Sequence, residues 1–152
     1  MIPAIEVARY FLSLTDEDAG ELISNLKLQK LLYYAQGFHL AIYDEPLFPE
    51  SIEAWAHGPV VASVYHQYKK YGSEPIPPED VDFDIFDEDT KGFLNEVYCE
   101  FGQYSAWKLR EITHDEPPWK DAYDEDIPGR VITNEALLHY FEQFVEEVEE
   151  TE

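Results

Sequence analysis

The stretch NLKLQKLLYYAQGFHLAIYDEPLFPESIEAWAHGPVVASVYHQYKKYG, residues 25–72, decides the fold of this chain. Its first part predicts a helix, because apolar side chains recur at helical spacing along two neighbouring stripes. Ser24 or Asn25 can cap this helix, which we expect to continue to about Ile42 or Tyr43. A helix that is apolar over so much of its circumference is typical of a buried central element.

Gly37, Lys27 and Lys30 each need a separate explanation within this helix. Gly37 costs roughly 1 kcal/mol relative to alanine in a helix interior, and we expect the close approach of another backbone to explain it. Lys27 and Lys30 lie to the side of the core stripe, and we expect both ammonium groups to be solvated.

The remainder of the stretch predicts a hairpin and a second helix. Residues 47–48 and 52–55 are short β-prone pieces and are expected to pair as a two-stranded antiparallel hairpin. His57-Gly58-Pro59 is expected to open the next helix, with the proline near the first position, where its missing N–H is not needed. Gly72 is well placed to end that helix.

Four more helices are predicted outside this stretch from capping residues and helical spacing. They cover about 3–14, about 88–101 after a cap at Asp87, a segment from the cap Ser105 to about Ile112, and a last helix after a cap at Thr133. Between them we expect an acidic turn at Asp16–Gly20, an irregular loop at 73–86 and a rigid turn at Thr113–Trp119.

The predicted fold class is therefore mainly α. We expect a single compact helical domain, residues 1–152, of about six helices with a small antiparallel β-hairpin. The acidic end, about residues 146–152, places negative charge at the negative pole of the last helix dipole and is expected to fray.

The composition is that of a globular protein. Hydrophobic residues make up 45% and aromatic residues 15% of the 152 positions, which argues against general disorder. The single cysteine, Cys99, is expected to be a small buried residue in a helix. Neither a signal peptide nor an apolar run long enough to span a bilayer is visible, so we expect a cytoplasmic protein without membrane contact.

The charge is strongly negative and unevenly placed. The net charge is −23, and acids exceed bases by four in residues 1–72 but by nineteen in residues 73–152. A surface this acidic repels phosphate backbones, so we expect no nucleic-acid partner. Acidic patches at residues 79–89 and 142–152 would attract a basic protein partner; the alternative is that the charge only solvates the surface or reflects adaptation to the host.

No catalytic or metal-binding motif stands out. His57, His114, Asp115 and Glu116 are suitable ligand types for a metal, but no His-Glu-x-x-His spacing occurs. We therefore expect no metal, no cofactor and no catalytic residue, and we do not expect an enzyme. A small metal-dependent hydrolase remains a disfavoured alternative.

Several spaced motifs resemble one known family. They are LQKLLYYAQG at residues 28–37, Pro-Leu-Phe at 46–48, Ile-Glu-Ala-Trp at 52–55, Gly-Pro-Val at 58–60, Val-Tyr at 64–65, Tyr-Gly at 71–72, and a second block that includes Leu109, Thr113, His114, Glu116, Pro118 and Trp119. In this order they resemble the Panacea-domain family, also called SocA-like. The resemblance implies a mainly helical fold with a small β-hairpin.

The same resemblance implies a function in bacterial or phage toxin–antitoxin pairs. It implies an antitoxin that binds and neutralises a cognate toxin by direct protein–protein contact. An alternative known in the family is an adaptor that delivers the toxin to a protease. The identity of the toxin and the oligomeric state are left open.

The candidate partner-binding residues lie in two segments rich in proline, histidine and tryptophan. They are Trp55, His57, Gly58 and Pro59 in the first segment, and His114, Glu116 and Trp119 in the second. Tryptophan is enriched where protein interfaces concentrate their binding energy. We expect the fold to bring the two segments together.

Overall fold

The computed structural model describes residues 1–15 and 22–150, and it describes side chains as far as residue 145. The acidic turn expected at Asp16–Gly20 lies outside the described residues. Of the end expected to fray, the backbone of residues 146–150 is helical, and residues 151–152 lie outside the described residues.

The described residues form seven α-helices and three short strands, which confirms a mainly helical fold with a small antiparallel sheet. The helices are α1 (Ala4–Ser13), α2 (Asn25–Tyr43), α3 (Ala62–Tyr68), α4 (Glu88–Phe101), α5 (Ala106–His114), α6 (Pro117–Ala122) and α7 (Asn134–Glu150). The strands are β1 (Ile52–Trp55), β2 (Gly58–Val60) and β3 (Arg130–Ile132). The loop at 73–86 is irregular except for a short 3-10 turn at Phe83–Ile85.

The predicted helix caps are confirmed by hydrogen bonds at four helix starts. The side chains of Ser24, Asp87 and Ser105 accept from the backbone N–H three residues further on, and Thr133 Oγ1 accepts from the N–H of Ala136 at 3.1 Å. Each cap satisfies an N–H that the first turn of a helix leaves without a partner.

The predicted pairing of residues 47–48 with 52–55 is wrong. β1 instead pairs antiparallel with β2 and β3, in the order β2-β1-β3. The backbone of residues 47–48 is held by the buried side chain of Gln36, whose Oε1 accepts from Leu47 N at 2.8 Å and whose Nε2 donates to Phe48 O at 2.9 Å. Because this amide satisfies the segment's polar groups, the segment does not need a partner strand.

The predicted helix start at Pro59 is also wrong. Residues 58–60 form the edge strand β2, in which Pro59 lies opposite Ala54. An edge strand tolerates proline because its outer side has no ladder hydrogen bond to lose. Helix α3 begins at Ala62, directly after Val61, whose N–H donates to Gln29 Oε1 at 2.9 Å.

Helix α2 is the central element, as its sequence predicts. Fourteen of its 19 residues are buried, and it contacts α1, α3, α4, α5, α7 and β2. Ile42 in the last turn of α2 is exposed. Cys99 on α4, which was expected to be buried, is exposed as well. Cys99 lies on the outer face of α4, whereas Phe93, Leu94 and Val97 face the core.

The close approach expected at Gly37 comes from a side chain rather than a backbone. A Cβ atom at this position would overlap the ring of Phe141 on α7. That ring is itself enclosed by Tyr33 and Phe38, with centroid separations of 5.5 and 4.8 Å. The glycine therefore lets α7 seat an aromatic ring directly on the backbone of α2.

We expect Gly37→Ala to destabilise the protein by about 1–3 kcal/mol, because overpacking against Phe141 outweighs the gain in helix propensity. The measurement is urea unfolding followed by circular dichroism.

The matched control is Gly92→Ala on α4, where a Cβ atom meets no other atom within 4 Å. This variant is expected to gain about 0.5–1 kcal/mol. Equal effects at the two positions would contradict this account of Gly37.

Candidate functional site

The two segments that carry the candidate residues meet in the structure. Trp119 Nε1 donates to the backbone carbonyl of Trp55 at 2.8 Å, and His114 hydrogen bonds to the backbone of His57. The expected juxtaposition is therefore confirmed for these four residues. We call the surface around Trp55, Ala56 and His57 the Trp55 corner.

A stack of three rings supports the Trp55 corner from behind. The ring centroid of Trp119 lies 4.0 Å from that of His114 and 4.8 Å from that of Tyr123, and all three rings are nearly parallel. The stack arises because α5 ends at His114 and α6 begins at Pro117. Trp119 consequently lies within a helix, which corrects the single rigid turn predicted for Thr113–Trp119.

The open side of the Trp55 corner is aromatic and acidic. Trp55 is half-buried and packs edge-to-face on Tyr65 at 4.9 Å, while its Nε1 donates to Glu53 Oε1 at 3.1 Å. Beside it lies a groove of about 500 Å³, lined in part by Trp55, Ala56, His57 and Tyr123 and by the acids Glu53, Asp124 and Glu125. Such a surface suits a basic side chain, which an indole face and nearby carboxylates both attract.

Gly58 and Pro59 are buried behind this surface. They therefore support its backbone from below and are not themselves open to a partner. Gly58 has φ 121°, and a Cβ atom there would come within 2.6 Å of Lys30 Cε. Glycine is thus required both by the left-handed backbone and by the lysine packed beneath it.

Lys30 is the main residue that the sequence interpretation placed wrongly. It is 1% exposed, and its Nζ has no hydrogen-bond partner among the described residues. Burial, followed by repulsion from Arg110, lowers the pKa of Lys30 to about 7. The signal in the sequence was the apolar circumference of α2, since a helix that is buried around most of its circumference has little solvated surface for a lysine.

Lys27 was also expected to be solvated, and it too is buried. Its Nζ donates to the backbone carbonyl of Gly102 at 2.6 Å. The exposed lysines of this region are Lys69 and Lys70 in the 3-10 turn after α3.

A second unpartnered atom lies close to Lys30. His114 Nε2 is buried without a hydrogen-bond partner. Burial first, and then the charges of Arg110 and Lys30, lower the pKa of His114, so its neutral form is favoured. Behind the Trp55 corner, Lys30, Arg110 and His114 thus form a cluster of basic groups in a protein whose net charge is negative.

Glu116 does not take part in the Trp55 corner, although it was grouped with it. Its carboxylate accepts hydrogen bonds from the hydroxyls of Tyr33, Tyr34 and Tyr140 at 3.0 to 3.3 Å. Burial is the largest effect on this carboxyl and raises the pKa of Glu116 to about 7. It lines a different groove, formed by α2, α4 and α7.

The described residues contain neither a metal-binding cluster nor a membrane-spanning helix. No group of three or more histidine, cysteine, aspartate or glutamate side chains is close enough to hold a metal ion in the part of the chain that the structure describes. Among the helices described, none combines the length and the apolar character needed to cross a membrane.

Comparisons with known proteins identify the family. Residues 28–120 match the family described as "Antitoxin SocA-like, Panacea domain", and the chain belongs to this family. A curated relative, the Antitoxin SocA of Caulobacter vibrioides (strain NA1000 / CB15N), is 34% identical over 103 residues, which cover 60% of this chain and 55% of the relative. The chain thus spans about half the length of that relative. No solved structure matches.

We expect Lys30→Met to stabilise the protein by about 2–4 kcal/mol at pH 7, because an apolar side chain of similar length removes the cost of a buried unpaired amine. The unfolded chain binds more protons than the folded one between pH 7 and the ordinary lysine value of 10.5. The stability of the native protein therefore rises across that interval, and the advantage of the variant shrinks.

The measurement is urea unfolding of both proteins at pH 7 and pH 9, with Lys69→Met as the exposed control. The control should change stability by no more than about 0.5 kcal/mol. If Lys30→Met is no more stable than the native protein, or if its gain in stability grows with pH, the buried amine of Lys30 does not cost stability as proposed.

Proposed function

We propose that this protein is a non-enzymatic cytoplasmic antitoxin whose single domain binds a cognate toxin directly and neutralises it. The family of the chain and the name of its relative support an antitoxin role. The Trp55 corner supports direct contact as the means, because it offers a half-buried tryptophan beside an open groove. Tryptophan in such a setting provides a large contact area at a small entropy cost.

The chemistry of the Trp55 corner favours a basic toxin surface. Glu53, Asp124 and Glu125 line the groove together with its aromatic side chains, and no lysine or arginine is among the lining residues in the described part of the chain. An arginine or lysine of the toxin would lie against Trp55 and close to these carboxylates. The net charge of −23 would accelerate the encounter with such a partner.

The single observation that carries this proposal is the contact between the two aromatic segments next to an acidic groove that the first segment lines. The hydrogen bond from Trp119 to the carbonyl of Trp55 fixes the backbone of the corner. A rigid corner loses little entropy on binding, which favours recognition by a preformed surface.

We expect Trp55→Ala to weaken toxin binding about thirtyfold, or about 2 kcal/mol, and to abolish rescue of growth. The test is co-expression with the product of the neighbouring gene, scored by growth, by co-purification and by titration of the purified pair. Circular dichroism confirms that the variant is folded.

The matched control is Trp107→Ala on α5. Trp107 is 63% exposed and its Nε1 donates to Glu111, so this variant removes an indole from another part of the surface. Equal loss of binding in both variants, or in neither, would count against the Trp55 corner.

The same experiment separates direct neutralisation from delivery to a protease. In a host that lacks its ATP-dependent proteases, a directly neutralising antitoxin still rescues growth and the toxin level stays unchanged. Rescue that disappears in that host, with toxin accumulating, would identify an adaptor instead.

We also expect association with the toxin to slow by about tenfold or more as the salt concentration rises from about 0.05 M to 0.5 M, because salt screens long-range attraction. Stopped-flow fluorescence measures the association rate. An association rate that does not change with salt would contradict a role for the acidic surface in steering.

A further inference from the structure

A second groove lies away from the Trp55 corner and shares none of its lining residues. Its volume is about 470 Å³. The walls come mainly from the apolar side chains of α2, α4 and α7, including Phe38, Phe101 and Phe144. Ile42 and Phe144 are 48% and 36% exposed, so apolar surface at the mouth of this groove is open to a partner. We call it the Glu116 groove.

Among the described residues that line the Glu116 groove, only Glu116 has a buried carboxylate, and it is 8% exposed. Its three hydrogen-bond donors are tyrosine hydroxyls, which are neutral. Among the described residues no lysine, arginine or histidine nitrogen forms an ion pair with it. The groove therefore contains a buried acid without a counter-charge.

The rim of the Glu116 groove is also negatively charged. Glu96 and Glu100 are exposed, lie one turn apart on α4 and line the groove together with Glu116. No basic side chain lines the groove among those that the structure describes. Aromatic rings form much of the remaining wall, and their faces attract cations. A cation carried on an apolar stem complements both properties of the groove.

The hydrogen bonds already made by Glu116 favour an ammonium over a guanidinium. A carboxylate offers about four acceptor positions. Oε1 accepts from Tyr33 and Tyr34, and Oε2 accepts from Tyr34 and Tyr140. Tyr34 has a single hydroxyl proton that lies within reach of both oxygens, so the three tyrosines fill about three of these positions. The position that remains suits a single N–H of a lysine but not the paired donors of an arginine.

We propose that the Glu116 groove binds a lysine side chain that a partner protein presents among apolar residues, with its ammonium against Glu116 and its aliphatic stem along the phenylalanine rings. The apolar flanks of that lysine would cover Ile42 and Phe144. This proposal does not depend on the partner being a toxin.

Binding should strengthen as the pH rises through about 7. Burial raises the pKa of Glu116 to about 7, so the free carboxyl is protonated below that pH and must lose its proton to pair with the ammonium. The groups that face it are Tyr33 and Tyr34 on α2, Tyr140 on α7, Asp115 beside it, and Glu96 and Glu100 across the groove.

The first probe is n-hexylammonium, which carries an ammonium on an alkyl chain as a lysine side chain does but is two carbons longer. It is titrated into isotopically labelled full-length protein and followed by NMR. We expect shifts confined to residues such as Phe38 and Phe144, and weaker binding at pH 6 than at pH 8. Neutral 1-hexanol is expected to bind about tenfold more weakly or worse. Equal binding of the two probes would show an apolar groove only and would overturn the proposal.

The variant Glu116→Gln tests the carboxylate and is expected to weaken hexylammonium binding about tenfold or more and to remove its pH dependence. Glu88→Gln removes the same charge from an exposed position on α4 outside the groove and should leave binding unchanged. If Glu116→Gln does not fold, the exposed rim variant Glu100→Gln replaces it, with an expected loss of about two- to threefold. Unchanged binding in the folded groove variant would overturn the proposal.

The second probe distinguishes a lysine of a partner protein from a free amine. A synthetic helical peptide with one lysine among leucines is compared with the same peptide carrying norleucine at that position. We expect the lysine peptide to bind the groove more tightly than both the norleucine peptide and hexylammonium. No preference for lysine, or a free amine that binds as well as the peptide, would refute a protein partner.

These outcomes are separable from those of the toxin experiment. Trp55 lies outside the Glu116 groove, so Trp55→Ala should bind hexylammonium normally. If the protein binds hexylammonium as expected but does not neutralise the toxin, only the proposed function is refuted. If it neutralises the toxin but does not bind hexylammonium, only the lysine-binding groove is refuted.

Discussion

The burial of most of α2 is the constraint on which the rest of the structure depends, since fourteen of its 19 residues are buried. A helix enclosed over most of its length must satisfy its polar side chains inside the protein. Gln36 does so by holding the backbone of residues 47–48, and Gln29 by accepting from Val61 N. Asn25 Nδ2 donates to the carbonyl of Tyr65 at 3.0 Å. The amides of α2 thereby direct the path of the chain that follows it.

The same burial leaves two ionisable groups, Lys30 and Glu116, without an oppositely charged neighbour among the described residues. Each lies next to one of the two grooves. Lys30 lies beneath Gly58, directly behind the Trp55 corner, and Glu116 lies in the floor of the second groove. A buried ionisable group whose pKa is shifted so that its neutral form is favoured lowers the stability of the protein. Such a cost is tolerated where function requires it. In both cases a partner of opposite charge would lower that cost, although only the Glu116 groove opens to solvent beside its charge.

The sequence predicted the helices well because their signals are local. Ser24, Asp87, Ser105 and Thr133 each cap a helix through a contact three residues away, which a short window of sequence contains. The segment at 47–48 and the strand β2 were misread because their partners are distant. Gln36 lies eleven residues before Leu47, and β3, at Arg130–Ile132, completes the sheet from far along the chain. For the candidate site, the meeting of Trp55 with Trp119 was predicted, whereas the buried Lys30 and the separate position of Glu116 were not.

The sequence by itself determined the helical class, the central position of α2 and the family resemblance. Periodicity, capping and motif order depend only on the identity and spacing of residues along the chain. Only the tertiary structure decided which polar groups lose contact with water. Burial depends on what packs against a residue from elsewhere in the chain, and for Lys30, Gly37 and Glu116 those neighbours come from β2, α7 and both α2 and α7. For that reason the charges that distinguish the two grooves became visible only in the folded protein.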